Sequence, residues 1–169
     1  MCETIAGEVR ITDYYENAGQ SLEHYIQWLQ EKGYEKYEHI LPHDVEVREL
    51  GTGKSRKEML EEGGLNITVA PKLGVEDGIQ ASRQLLKNCY FNEKTTQTGL
   101  NCLRNYRRVF NEKLNTYMEK PLHDWSSHCA DAFRYLAIGL DTNNSIKRSD
   151  WATPYDTTLN KESYKQQYI

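Results

Sequence analysis

Residues 37–44 read Tyr37-Glu-His-Ile-Leu-Pro42-His43-Asp44: a short β-prone run, then a proline, then an acid. Proline has no N–H to give to a ladder, so it closes a central strand. The same pattern returns at Leu65-Asn-Ile-Thr-Val-Ala-Pro71. Between the two runs, Ser55 precedes Arg56–Glu62, and Gly63-Gly64 follows. That is an N-cap, a helix and its stop. Strand, helix and strand in such short order predict an α/β fold rather than an all-α or all-β one.

The pattern extends in both directions. Residues 8–15, EVRITDYY, alternate, with Val9 and Ile11 on one face and Arg10, Thr12 and Tyr14 on the other. Ala6-Gly7 before them predicts a hairpin turn, which makes 2–5 a partner strand. Ser21 predicts the cap of a helix over 22–32, with Leu22, Tyr25, Ile26 and Leu29 as its stripe and Gly33 as its end. Downstream, 75–88 is amphipathic with Ile79, Ser82, Leu85 and Leu86 inward. A further helix is expected over 98–106, then a polar hairpin, then the most apolar helix over 125–140. Residues 1–140 are thus expected to form one domain, and the polar stretch 141–169 a loosely packed tail, with Trp151, Tyr155 and Tyr164 available as anchors.

Composition bounds the function. The 169 residues carry 21 Lys and Arg against 25 Asp and Glu, a net charge of -4. This excludes a generally basic nucleic-acid binder but leaves room for a local basic patch. Cys2, Cys89, Cys102 and Cys129 form no C-x-x-C pair, so a zinc ribbon or thioredoxin motif has no support. With neither a signal peptide nor a long apolar run, a reducing cytoplasmic setting and no membrane are expected.

Acids at the ends of elements are the candidates for chemistry. Asp44 lies just beyond the carboxyl end of a strand, where α/β sheets bind ligands; the alternative is a turn or capping role. Asp124, His128 and Asp131 share one helix face by their spacing. The competing readings are that Asp124 is an N-cap and that Asp131 pairs with Arg134 or Tyr135. Carboxylates converging from separate elements are how Mg²⁺ or Mn²⁺ is held for phosphoryl chemistry. Gly51-Thr52-Gly53-Lys54 is too short between its glycines for a Walker loop. Around it, Arg48, Lys54, Arg56 and Lys57 are candidate contacts to a DNA backbone. Arg104, Arg107 and Arg108 with Tyr106 and Phe110 make a second basic-aromatic patch.

Four motifs in order carry a resemblance: His43-Asp44, Ser55-Arg56, Asp77-Gly78-Ile79, and Ser127-His128-x-Ala130-Asp131-Ala132-x-Arg134-Tyr135. Over about residues 8–140 the chain resembles the C-terminal nuclease domain of tailed-phage large terminase subunits. The resemblance implies an RNase H-like mixed sheet flanked by helices. It also implies a metal-dependent endonuclease that cuts concatemeric viral DNA with two Mg²⁺ or Mn²⁺ ions. Asp44 and Asp131 become the catalytic acids, with His128 and Asp124 as further ligand candidates. The implied partners are double-stranded DNA, the terminase small subunit and the portal, in the host cytoplasm and transiently at the procapsid. The family's ATPase domain and first-strand acid lie upstream of the matched region, so the chain is expected to be a truncated terminase. The alternative is a catalytically impaired fragment that only binds DNA, portal or partner subunits.

Overall fold

The computed structural model describes residues 1–151. Two short strands, β1 (Cys2–Ile5) and β2 (Glu8–Ile11), pair antiparallel with Thr4 opposite Val9. The two-residue connection is left-handed at both positions, Ala6 at φ 49° and Gly7 at φ 86°. That geometry matches the twist of a tight hairpin. Helix α1 (Leu22–Glu31) follows, then β3 (Glu38–Leu41), a 3-10 turn over His43–Glu46, α2 (Arg56–Glu62) and β4 (Asn66–Val69). Helix α3 (Val75–Leu86) leads into β5 (Cys89–Phe91), and α4 (Glu93–Asn105) into a ribbon of β6 (Phe110–Asn111) and β7 (Thr116–Tyr117). Helix α5 (Ser127–Trp151) comes last.

The architecture is mixed α/β, with five helices and three small sheets among the described residues. One sheet has the order β1-β2-β5, with β5 parallel to β2. A second is the parallel pair β3-β4, joined through α2 as a crossover. The third is the β6-β7 ribbon. Among the described residues these three sheets share no ladder, so the single mixed sheet that the resemblance implies is not formed.

Two apolar clusters hold these layers. Val9, Ile11 and Phe133 form the first, with Leu85, Phe91, Leu103 and Leu136 packed around them. Val45, Leu60 and Leu65 form the second, covered by Leu22, Ile26 and Leu29 of α1. Each such aliphatic or aromatic side chain contributes about 1.5–3 kcal/mol when fully buried. Helix α5 touches both sheets. Phe133 sits under β2, and Gly139 lies so close to β3 that an added Cβ would stand 2.6 Å from Ile40.

Several expectations shift in detail. Tyr25 leaves the stripe of α1 for an aromatic cluster, where it meets Tyr15 edge-on at 6.3 Å while Tyr15 stacks on Trp28 at 4.5 Å. Leu86 is exposed, and the buried residue of α3 is Gly78. Strand β5 was not foreseen, because Cys-Tyr-Phe is too short to show alternation. Helix α4 begins at Glu93, five residues before the expected start, capped by the Asn92 side chain on Lys94 N–H. The boundary set at residue 141 falls inside α5, which runs to Trp151. No Pro or Gly follows Gly139 within that span, so nothing stops the helix there. Tyr155, Tyr164 and the remainder of the expected tail lie outside the described residues. Among the described residues, no helix is long and apolar enough to cross a membrane.

Candidate functional site

Asp44 occupies the 3-10 turn immediately after β3 and Pro42. Val45 beside it is buried and anchors the turn in the second cluster, while Asp44 itself is exposed. Its main chain is held by Val47 N–H donating to Asp44 O at 3.2 Å. Its carboxylate takes part in no hydrogen bond or ion pair among the described residues. It is a free anion past the carboxyl end of a parallel strand pair, the place where such sheets receive ligands.

The α5 candidates are engaged with their neighbours. Asp131 pairs with Arg134 at 3.0 Å, the intrahelical pairing that its spacing allowed. Arg134 is buried; it lies over the Tyr135 ring at 5.0 Å and its Nε has no partner. Asp124 precedes α5 and accepts from the Ser126 N–H at 2.9 Å and the Ser126 hydroxyl at 2.6 Å. In return, the Asp124 N–H donates to Ser127 Oγ at 2.9 Å. The Ser126 hydroxyl and N–H, helped by Arg107, hold the Asp124 carboxyl below its ordinary range. Helix α5 starts at Ser127 rather than at Trp125, and the N–H that the Asp124 side chain accepts from is that of Ser126, so Asp124 orders the turn ahead of the helix and is not its N-cap. His128 is exposed, its ring edge-on to His123 at a centroid distance of 5.5 Å. Cys129, adjacent in sequence, is buried, and burial pushes its thiol up to about 12, so it acts as core rather than nucleophile.

Among the described residues, no three His, Cys, Asp or Glu side chains gather as a group able to hold a metal ion. The donors present therefore do not fit a two-ion site: Asp131 and Asp124 are already bonded, and Asp44 is alone. A signal that the sequence reading missed lies beside Asp44. Among the described residues, four buried side-chain atoms have no hydrogen-bond partner, and three of them flank or belong to β3: Glu35 Oε2, His39 Nε2 and His43 Nδ1. Burial also lowers the His39 pKa. Buried polar atoms are almost always satisfied, so orphans before, within and after β3 mark an incomplete environment.

The basic loop behaves differently from its sequence reading. Each of its four cations is paired with a nearby acid: Arg48 with Glu58, Lys54 with Glu62, Arg56 with Glu49 and Lys57 with Glu46. Over residues 44–62 those four face six acids, so the region is anionic on balance. Comparison with known protein families, with curated proteins and with solved structures finds no match for this chain.

Proposed function

We propose that the chain is the RNase H-like nuclease domain of a phage DNA-packaging terminase, acting on double-stranded DNA. The observation that carries the reading is the free Asp44 carboxylate in the 3-10 turn beyond the parallel β3-β4 pair, just past the strand against which α5 packs at Gly139. The order of the four sequence motifs supports it. So do the two open sheet edges: β1 ends one sheet and β3 ends the other, and α5 lies across both. A single strand placed antiparallel to β1 and parallel to β3 would join them into one mixed sheet of the RNase H kind.

The engagement of Asp131 and Asp124 favours a second reading for the chain by itself: a DNA- or partner-binding module with impaired catalysis. Plasmid nicking with Mn²⁺ separates the two. The chain alone is expected to cut poorly or not at all. With an additional strand bearing an Asp fused ahead of Met1, cutting is expected to appear and to vanish in Asp44→Asn. Strong nicking that Asp44→Asn leaves untouched would overturn the assignment of the site.

A further inference from the structure

The region with surplus positive charge lies elsewhere in the chain. Residues 104–120 hold Arg104, Arg107, Arg108, Lys113 and Lys120 against only Glu112 and Glu119, in a protein of net charge -4. This segment is the β6-β7 ribbon, its base and the last turn of α4, which carries Arg104. The ribbon is longer than its two ladder pairs, because Met118 N–H donates to Val109 O at 2.8 Å and Leu122 N–H to Arg107 O at 2.9 Å. Its tip is built by the Asn111 side chain, which accepts from the Lys113 and Leu114 N–H groups, and by Asn115 at φ 47°.

The base is tied down while the tip projects. Arg107 pairs with Asp124 at the start of α5, and Arg108 with Glu76 on α3. Arg104, Lys113 and Lys120 form no ion pair among the described residues. Apolar side chains that the core does not take lie along the same ribbon: Phe110 is 45% exposed, Tyr117 62% and Leu114 69%. Phe110 and Tyr117 are cross-strand partners with rings edge-to-face at 5.2 Å. Exposed apolar side chains gathered on one short ribbon are a feature of binding surfaces. Unpaired cations in the same segment favour a polyanion, and a two-stranded ribbon has the width that the major groove of duplex DNA admits.

We propose that the β6-β7 ribbon is a duplex-DNA-contacting arm, with Arg104, Lys113 and Lys120 on backbone phosphates and the Phe110–Tyr117 pair against the sugar edges of a groove. The proposal rests on the DNA-handling reading above but moves the main contact away from the Arg48–Lys57 loop, whose cations are internally neutralised.

The test is fluorescence anisotropy with a labelled mixed-sequence duplex, in EDTA, over salt from about 50 to 200 mM. Without divalent ions, binding is measured apart from cutting, so failure of the nuclease reading leaves the result interpretable. Each lost phosphate contact reduces the slope of log K against log salt by about 0.9. The triple variant Arg104→Gln, Lys113→Gln, Lys120→Gln is expected to reduce it by roughly 2–3, with an unchanged far-UV spectrum. Phe110→Ser with Tyr117→Ser is expected to weaken binding at constant slope. Arg48→Gln with Lys54→Gln is expected to leave both quantities as in the parent. Absence of duplex binding by the parent chain, or a parental slope in the triple variant, would overturn the proposal. Loss of slope only in the Arg48 and Lys54 variant would also do so. A parental slope together with a dimer-to-monomer shift in ultracentrifugation would reassign the ribbon to protein docking.

Discussion

Gly78 shows how a single residue positions a polar one. It is the buried residue of α3, and a Cβ built there would stand 2.5 Å from Arg134 Cγ and 2.6 Å from Cδ. The absence of a side chain lets α3 and α5 approach closely and sets the height at which the Arg134 guanidinium meets Asp131. The stem cannot swing freely, since its far end is bonded to Asp131 and lies over Tyr135. Gly78→Ala is therefore expected to destabilise by about 1–3 kcal/mol, the usual cost of overpacking, measured by urea denaturation. His39 gives a second prediction at this scale. Burial lowers its pKa in the folded chain below the ordinary 6.5. The unfolded state then binds the proton more readily, so stability is greatest at neutral pH and above. It falls as pH drops through 6.5 and levels off below the folded-state pKa. Melting temperatures from pH 8 to 5 are expected to fall in the parent and to flatten in His39→Leu.

Helix α2 is a case in which an element's local chemistry is complete. Ser55 Oγ accepts from Glu58 N–H at 3.1 Å, and the Glu58 carboxylate accepts from Ser55 N–H at 2.8 Å. This reciprocal box satisfies two donors that a helix start leaves free. Ser55 is buried, so water does not replace the lost acceptor well. Ser55→Ala is expected to cost about 1 kcal/mol, within the usual range for a cap, read from the shift in denaturation midpoint. The turn ahead of α5 is held by Asp124, whose side chain accepts from the Ser126 N–H and hydroxyl and whose N–H donates to Ser127 Oγ. Asp124→Ala is expected to lower the melting temperature by a few degrees at pH 7. Because the folded Asp124 pKa is depressed, that stabilisation is present above the ordinary value of 3.8 and disappears as pH falls below it. The parent and the variant should therefore converge in acid, whereas a carboxylate with no role in this turn would show no such convergence.

At the scale of the whole molecule, the strands form separate small sheets. Helix α5 reaches from Phe133 under β2 to Gly139 against Ile40 on β3, yet β1 and β3 share no ladder among the described residues. An edge strand presents unpaired N–H and C=O groups and accepts another strand readily. A fused strand of alternating apolar residues is expected to raise the melting temperature and to slow amide exchange in both β1 and β3. Stabilisation of β1 alone would show that the two edges do not flank a common gap.

The local alphabet of this protein was legible without coordinates. The hairpin turn at Ala6-Gly7, the cap at Ser55 and the proline-ended strands β3 and β4 depend on residues within one turn or one strand of each other. The contacts that decide them are local, and residue type announces them. Asp44 belongs with these, since its position after a strand follows from Pro42. Tertiary structure decided the rest. Whether Arg48, Lys54, Arg56 and Lys57 face a ligand or their own acids depends on how a loop folds back on α2, and composition does not encode that. Asp131 had two partners open to it by spacing, and the close approach at Gly78 places Arg134 beside it. The cationic ribbon acquires its meaning only once the core has taken its apolar residues and left Phe110, Leu114 and Tyr117 outside. Burial is a competition among all apolar side chains for limited interior space, so its outcome belongs to the whole fold and not to any one stretch of sequence.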